Sequence, residues 1–404
     1  MHQPVQTIEF TLLLLLTHPQ PEKQQLNIKQ FLTENNINWS ELLKDIKWHR
    51  VTPQAYESLS KHSELIPDEI LSQLKQSCLQ CKKRTLQQAA SLIKIAKLFD
   101  EHNIRFISLK GLTLSQLLYS DITMREAHDI DIIIDFNDIG RAEKILTGAL
   151  GFTRTIPEIK VTDRQIQYLD VRFKDRVYQH VENNVHLEVH YRFNSIEQCL
   201  PVPFSSLYGN ILTVQINQQR IPVLSNVHLW LYQSVHGSMS GWYRLHWLSD
   251  IASMMEAKTP DWSTILQASN QYGCRRNLVE SVMFASSLYQ LSPPEQIQQA
   301  FKADKKLAAQ LTWVSQAIKA RKNPSTLKSF RRLLFFVPSK AFWAFFVDNL
   351  RISPTDFSFF PLPDRLFFIY YWLRPVFRII RVFNKNNSIT PSPRHGRRFQ
   401  GWNR

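Results

Sequence analysis

The stretch that decides the fold is FISLKGLTLSQLLYSDITMREAHDIDIIID, residues 106–135. An apolar run, Ile104–Leu109, predicts a strand that leads into it. Lys110 and Gly111 then open a short helical segment, and a loop leads to a second apolar strand, Asp129–Asp135. A strand, a helix and a strand in this order indicate a mixed α/β unit built on a small sheet.

Two carboxylates stand at the start of the second strand. Side chains alternate between the faces of a strand, so Asp129 and Asp131 share one face, while Ile130, Ile132 and Ile134 share the other and predict a core. Neighbouring carboxylates repel each other, and a divalent cation between them removes the repulsion. The pattern therefore predicts a site for Mg²⁺ or Mn²⁺, which prefer oxygen ligands and accept substrate phosphates as well.

A later strand, VHLEVHY at Val185–Tyr191, repeats this logic. His186, Glu188 and His190 share its polar face, although histidines in such a pattern more often lie on an exposed strand face than on a metal. If the two strands are neighbours, Glu188 completes a cluster of three carboxylates, which can hold two metal ions about 3.5–4 Å apart. The predicted catalytic and metal-binding residues are Asp129, Asp131 and Glu188.

Basic groups precede the first acidic strand. Gly111 lets the backbone approach a phosphate, and the helix that follows presents free N–H groups to an anion. Lys110 adds a point charge, and Arg125, in the loop before Asp129, can grip a phosphate with two N–H groups. We therefore predict that Lys110, Gly111 and Arg125 bind the phosphates of a nucleotide.

The chain divides into four predicted parts. They are an N-terminal helical region (1–83), an α/β core (84–215), a C-terminal helical domain (216–330) and a basic aromatic tail (331–404). Within the core, Asn137 is a plausible N-cap for a helix over Asp138–Leu150, and Ile166–Phe173 and Arg176–Val181 are predicted strands. The predicted fold class is α+β, a small mixed-sheet core between two helical regions.

The composition excludes several enzyme classes. The chain has 404 residues, 44% of them hydrophobic and 21% charged, which is typical of a globular protein. Only 10 residues are Gly and no two are spaced as G-x-G, so the dinucleotide fingerprint, the Walker A loop and the kinase loop are absent. Four cysteines in a chain of this length do not form a disulfide scaffold.

Charge is concentrated at the C-terminal end. Of the residues from Arg321 to Arg404, 16 are Lys or Arg and 3 are Asp or Glu, and 14 of the 25 Phe lie between Phe330 and Phe399. Such a segment suits a membrane surface or an RNA, although its aromatic residues can also dock on the protein's own core. No apolar run reaches the ~20 residues of a spanning helix, so we expect a cytoplasmic protein, with peripheral attachment to the inner membrane face as the alternative.

The stretch at 106–135, followed by HLEVHYRF at 186–193, resembles the uncharacterised bacterial nucleotidyltransferases of the polymerase-beta-like superfamily. The segments at 228–255 and 361–381 resemble the helical half of the same family. The resemblance extends over roughly residues 85 to 382. It implies a nucleotidyltransferase fold, a divalent metal and a nucleoside triphosphate as the donor.

The resemblance also assigns residues. Asp129 and Asp131 match the metal-binding D-x-D, Glu188 matches the third carboxylate, and Gly111 matches the glycine of the first motif. Most members of the superfamily have Gly-Ser where this chain has Lys110-Gly111, so the serine hydroxyl that contacts a phosphate elsewhere is absent here. Because the helices after residue 226 are implied to close over the nucleotide, the residues expected near it are Arg244, Asp250 or His236.

The main functional hypothesis is an enzyme that moves a nucleoside monophosphate from a nucleoside triphosphate to a hydroxyl acceptor and releases pyrophosphate. The acceptor is left open between a small molecule, a protein side chain and an RNA. The alternative is a non-catalytic scaffold that binds nucleotide or associates with a membrane or RNA. We weigh against it the three intact carboxylates, because such a cluster without a metal lowers stability.

Overall fold

The computed structural model describes residues 7–157, 161–194, 199–257, 261–321, 332, 334–336, 352, 356–357 and 360–373. Within them, a sheet of seven strands lies between N-terminal and C-terminal helices, so the predicted α+β class is confirmed.

The N-terminal region is helical, as predicted. Its helices are α1 (Ile8–Leu16), α2 (Pro21–Glu34), α3 (Trp39–His49), α4 (Thr52–Leu59) and α5 (Asp68–Glu101), with a 3-10 turn at Ser60–Leu65. Asn38 begins α3 by accepting a hydrogen bond from the backbone N–H of Glu41. Helix α5 is 34 residues long and crosses the predicted boundary at residue 83. Its second half packs Leu92, Ile95 and Phe99 into the core of the sheet, so it joins the two regions.

The sheet contains strands from both ends of the core. In chain order the strands are β1 (Phe106–Ser108), β2 (Asp129–Ile134), β3 (Phe152–Ile156), β4 (Asp175–His180), β5 (His186–His190), β6 (Leu212–Ile216) and β7 (Gln219–Val223). They lie in the order β3-β4-β5-β2-β1-β7-β6, with β2 parallel to β5 and β1 parallel to β7. The sheet therefore extends to Val223, beyond the predicted end of the core at residue 215.

Helices within this region cover the sheet and connect its strands. They are α6 (Leu112–Tyr119), α7 (Ile139–Gly148), α8 (Asp163–Arg172) and α9 (Phe204–Tyr208). Strand β2 is central, and its isoleucines are buried on both faces: Ile130, Ile132 and Ile134 in one core and Ile133 in another. The acidic start of β2 is consequently held by a rigid, doubly covered strand.

Two local predictions were wrong. Residues 166–173, predicted as a strand, belong mainly to α8, because Thr162 and Gln165 form a capping box that starts a helix. The N-cap role predicted for Asn137 falls to Asp135, whose carboxylate accepts a hydrogen bond from the Asn137 N–H and starts a 3-10 turn before α7. In both cases a short polar side chain accepts a hydrogen bond from a backbone N–H group and so fixes where the helical turn begins.

The C-terminal region is helical. It comprises α10 (Asn226–Ser240), α11 (Leu245–Glu256), α12 (Trp262–Gln271), α13 (Arg275–Tyr289), α14 (Glu295–Ala303) and α15 (Lys305–Lys319). One continuous core joins it to the N-terminal helices, with Leu12 and Leu42 packed in the same cluster as Leu248 and Leu278. Helices of the two regions therefore pack together over the face of the sheet that carries Ile133, whereas the second half of α5 covers the opposite face.

Part of the tail docks on the sheet domain. Ile352, Phe357, Phe367 and Tyr370 form a small core with Leu169 of α8. Among the described residues, no helix is both long enough and apolar enough to cross a membrane. The remainder of the predicted tail, including residues 374–404, lies outside the described residues, and its predicted partners stay predictions.

Candidate active site

Strands β2 and β5 bring the predicted acidic residues together. They run parallel and in register, so that Asp131 lies opposite Glu188 and Asp129 opposite His186. The prediction that Glu188 lies beside the D-x-D strand is confirmed. Since residues in register on neighbouring strands point to the same face, the two carboxylates lie over one side of the sheet.

The tightest group differs from the predicted trio. Ligand atoms of Asp131, Glu188 and His190 all lie within 4.8 Å of one another, and Asp129 is outside this set. Asp129 stands two residues earlier on β2, which corresponds to about 6.6 Å along a strand. His190 takes its place because it follows Glu188 on the same face of β5 and lies at the buried end of the cluster. Its Nε2 is 3.3 Å from Asp131 Oδ1 and 3.5 Å from Glu188 Oε2.

Lys110 faces these carboxylates. It lies in the turn after β1, the antiparallel neighbour of β2, and its Nζ is 2.5 Å from Asp131 Oδ2 and 3.7 Å from Asp129 Oδ1. Gly111 adopts the left-handed φ of 76° that this turn needs, and it precedes α6 as predicted. The ammonium group thus neutralises part of the negative charge of Asp129 and Asp131.

A second lysine closes the other side of the cluster. Lys174 Nζ lies 2.7 Å from Asp175 Oδ2, 3.9 Å from Glu188 Oε2 and 3.4 Å from His190 Nδ1. Burial opposes the charge on Glu188, but the hydrogen bond from His190 and the charges of Lys174 and Lys110 hold its pKa well below the usual value. Glu188 is therefore an ionised carboxylate throughout the neutral pH range.

The charges of the cluster fit a cation. Four carboxylates, those of Asp129, Asp131, Glu188 and Asp175, face two lysines and His190. Even with His190 protonated, one negative charge is left over. The donor set of two carboxylates and an imidazole suits a divalent ion such as Mg²⁺ or Mn²⁺, with the nitrogen favouring Mn²⁺.

Arg125 and Asp250 form a closed ion pair. The guanidinium Nε lies 3.0 and 2.9 Å from the two carboxylate oxygens and Nη2 lies 2.8 Å from Oδ2, with both side chains buried. The Arg125 backbone N–H also donates to Ser115 Oγ. The pair joins the loop before β2 to α11. Its geometry indicates a structural link between the sheet and the C-terminal helices, whereas both residues were predicted to contact nucleotide.

Arg244 lies elsewhere, at the junction of α3 and α11. Its Nη1 donates to the Trp48 carbonyl at 3.3 Å, and the guanidinium stacks over the Trp48 and Tyr243 rings at 5.5 and 5.4 Å. Asp250 is six residues later on α11 and faces Arg125. The structure thus separates the two residues that the sequence grouped.

Sequence reasoning missed Arg50 and Tyr232, whereas it expected His236 near the nucleotide. Arg50, at the end of α3, lies within the electrostatic field of Asp129, and Tyr232 and His236 on α10 lie within that of Glu188. Burial and the charges of Lys110 and Lys174 hold the pKa of His236 well below its usual value, so this imidazole is neutral. No local motif marks Arg50 or Tyr232, because helix packing alone brings them to the sheet.

The arrangement of an acidic strand pair, a lysine turn and covering helices agrees with a family assignment. The profile of a family described as uncharacterised nucleotidyltransferase matches residues 35–290, more than half of the chain. This chain belongs to that family. The matched range contains the whole acidic cluster, both lysines and the arginines at the end of α3 and the start of α11. Family membership names the general class of reaction, nucleotidyl transfer.

Other comparisons are more distant. Among the solved structures that match is an antigenic nucleotidyltransferase-like protein from Paracoccidioides brasiliensis, which is 19% identical to this family member. The alignment covers 51% of this chain and 93% of that chain, with a TM-score of 0.31. No protein with a curated description matches the chain.

Proposed function

We propose that the protein transfers a nucleoside monophosphate from a nucleoside triphosphate to a hydroxyl acceptor. The acceptor oxygen forms a bond to the α-phosphorus, the bond from that phosphorus to the bridging oxygen breaks, and pyrophosphate leaves. The hydroxyl proton passes to a carboxylate of the cluster. We extend the assignment to the polymerase-beta-like superfamily, on the D-x-D strand and the parallel strand that carries Glu188.

The observation that carries this proposal is the register of β2 and β5. It sets Asp131 opposite Glu188 at the centre of a sheet, where neither backbone can move independently. Phosphoryl transfer depends mainly on positioning and on stabilising charge, so a rigid acidic pair is the feature that it requires. A divalent cation held by Asp131, Glu188 and His190 would supply positive charge to the triphosphate oxygens.

The residues around the pair have separate roles. Glu188 stays ionised and so suits cation binding better than proton uptake. His190 Nε2 lies 3.3 Å from Asp131 Oδ1 and 3.5 Å from Glu188 Oε2, so it orients both carboxylates, and in its unprotonated form the same nitrogen would be the third ligand of the cation. Lys110 keeps a raised pKa because, although burial opposes it, the charges of Asp129, Asp131 and Glu188 favour the ammonium form. It therefore supplies a permanent positive charge where the transferred phosphoryl group would lie.

Incubation with each α-labelled nucleoside triphosphate, Mg²⁺ or Mn²⁺, and a cell extract tests the proposal. The wild-type protein is expected to label one acceptor class, and Asp131→Asn is expected to abolish the label. Asp135→Asn is the matched control: it is the same change next to the same strand, outside the cluster, and asparagine keeps the capping bond to Asn137. Equal labelling by wild type and Asp131→Asn contradicts the proposal.

A non-catalytic scaffold that binds nucleotide is the second candidate. The sequence argument against it was the instability of three carboxylates without a metal. Lys110 and Lys174 weaken that argument, because they neutralise part of the cluster from within. Nucleotide binding that is independent of a divalent cation, together with no transfer of label, favours the scaffold.

The acceptor is proposed to be an RNA or a molecule at a membrane. The support is the basic, Phe-rich composition after residue 321, which suits an anionic partner with apolar or stackable groups. Extract fractions distinguish these acceptors: label in nucleic acid, in lipid or in protein each identifies one class.

A further inference from the structure

Two neighbouring arginines, one of them within the electrostatic field of Asp129, lack the carboxylate partners that the buried arginines Arg125 and Arg332 have. Arg50 ends α3 and Arg244 precedes α11. Among the residues that the structure describes, the Arg50 side chain has no hydrogen-bond or ion-pair partner. The Nε of Arg244 is buried and also lacks a partner there. The buried Nε–H of Arg244 is a donor without an acceptor, which lowers stability unless a ligand accepts its hydrogen bond.

Packing holds the two arginines together. The backbone N–H of Leu245 donates to His49 Nδ1 at 3.1 Å, and His246 Nδ1 donates to the His49 carbonyl at 3.2 Å. These bonds fix the end of α3 against the start of α11, so that Arg50 and Arg244 lie within each other's field. Their like charges repel, and the fold maintains that repulsion by rigid contacts on both sides.

The surroundings of the pair favour an anion. Burial and the charge of Arg244 lower the pKa of Arg50 to about 10, opposed by Asp129, Tyr243 and Glu126. Glu126 is occupied by Thr52, His128 and Arg84. Asp129 faces Lys110 at 3.7 Å. Because these two carboxylates already have other partners, Arg50 and Arg244 leave positive charge unpaired near the acidic start of β2.

The backbone conformation at Arg50 allows its side chain to be tested. Arg50 ends α3 in the left-handed conformation, with φ 57° and ψ 47°. Glycine is the residue that favours this position, and a side chain there costs about 1 kcal/mol. Arg50 is one of several non-glycine residues with a positive φ, so a change to glycine at this position relieves strain while it removes the guanidinium.

We propose that Arg50 and Arg244 form a phosphate-binding site at the edge of the acidic cluster. Resting on the proposed function, we assign to it the β- and γ-phosphates of the donor nucleotide. Guanidinium groups match phosphate oxygens with paired N–H donors. Since Arg50 comes from the N-terminal helical region, that region then contributes directly to the substrate site.

Arg50→Gly is the decisive variant. It removes the guanidinium and relieves the left-handed strain, so the protein should be as stable as wild type or more so. Calorimetric titration with inorganic pyrophosphate, in the presence of Mg²⁺, is expected to show an affinity about 10- to 100-fold lower than that of wild type. Loss of affinity with no loss of stability distinguishes a ligand contact from a structural one.

Two controls accompany it. Gln290→Gly replaces an exposed, uncharged residue by glycine at another left-handed helix end, φ 56°. Lys47→Gln removes an exposed positive charge from α3 itself. Both are expected to bind pyrophosphate as wild type does. Equal binding by Arg50→Gly and wild type overturns the proposal.

Competition separates this site from the proposed function. A nucleoside triphosphate should displace pyrophosphate from wild type, and Arg50→Gly should weaken both ligands in parallel. If pyrophosphate binds through Arg50 while nucleotide binds independently, the phosphate belongs to an acceptor and the assignment to the donor is wrong. If pyrophosphate binds through Arg50 but no nucleotide binds at all, the phosphate site stands and the nucleotidyltransferase proposal fails.

Discussion

Two pairs of arginines in this protein, Arg125 and Arg332 in the interior and Arg50 and Arg244 in half-buried positions, differ in the partners of their guanidinium groups. The guanidinium group of Arg125 donates hydrogen bonds to both carboxylate oxygens of Asp250. Arg332 does the same with both carboxylate oxygens of Glu280, which also accepts a hydrogen bond from Trp242. Among the described residues, the guanidinium groups of Arg50 and Arg244 make no hydrogen bond or ion pair with a carboxylate. The first set shows charges that the fold uses for its own cohesion. The second set shows charges kept in place by packing and left available to a ligand.

The largest expected effect on stability comes from breaking the ion pair between Arg125 and Asp250. Asp250→Asn leaves the Arg125 charge buried without its partner, and we expect the free energy of unfolding to fall by about 3–5 kcal/mol. Urea denaturation followed by circular dichroism measures this. Asp261→Asn is the matched control, because Asp261 is an exposed N-cap of α12 and asparagine also caps. Similar stability of the two variants would falsify the structural role of the pair.

A substitution in the acidic cluster should affect nucleotidyl transfer more than it affects stability. Asp131→Asn is expected to reduce nucleotidyl transfer about 10²- to 10³-fold, because it removes charge stabilisation from the reacting groups. Its stability should fall less than that of Asp250→Asn, since Lys110 keeps Asp129 and Glu188 nearby in a cluster with excess negative charge. A stability loss equal to that of Asp250→Asn, with transfer retained, would assign the cluster to folding.

The contact of His49 with the start of α11, which holds Arg50 and Arg244 together, should make the stability of the protein depend on pH. Burial and the charges of Arg244 and Arg321 lower the pKa of His49 to about 3, whereas an unfolded histidine titrates near 6.5. Below pH 6.5 the unfolded chain takes up a proton that the folded protein excludes, so stability falls as the pH drops toward 3. From pH 6.5 to 4.5 this amounts to roughly 2 kcal/mol.

His49→Asn tests this pH dependence. Asparagine can still accept from the Leu245 N–H but does not titrate, so its curve of stability against pH should be flatter by that amount. Other buried histidines, such as His228 and His246, contribute equally to both proteins and cancel in the difference. Parallel curves for wild type and His49→Asn show that His49 is not the group responsible.

The smallest expected effect on stability comes from substitutions of the exposed aromatic residues in the tail. In the described part of the tail, Phe368, Tyr371 and Trp372 are 57, 54 and 80% exposed. Replacing Tyr371 and Trp372 with Ser should change stability by less than about 0.5 kcal/mol and reduce flotation with anionic vesicles. Leu26→Ser, an equally exposed apolar site on α2, is the control. Unchanged flotation excludes these rings from membrane contact and leaves RNA as the partner to test.

Sequence analysis succeeded where local patterns fix the structure. The alternation in Asp129–Asp135 predicted β2 and the face of its carboxylates, and the same alternation in Val185–Tyr191 predicted β5. It failed at α8, where a capping box overrides an apolar run that suits a strand equally well. Strands β3, β6 and β7 were not predicted, because their mixed polar patterns become strands only through pairing.

The sequence by itself determined the α+β class, the acidic pair of strands and the lysine-glycine turn, because these depend on periodicity within short segments. Only the tertiary structure decided which charges meet. It paired Arg125 with Asp250, 125 residues away, and brought Arg50 beside Arg244. It also placed His190, rather than Asp129, in the tightest group with Asp131 and Glu188. Such contacts depend on how helices pack across the sheet, and side-chain partners at that separation leave no periodic trace in the chain.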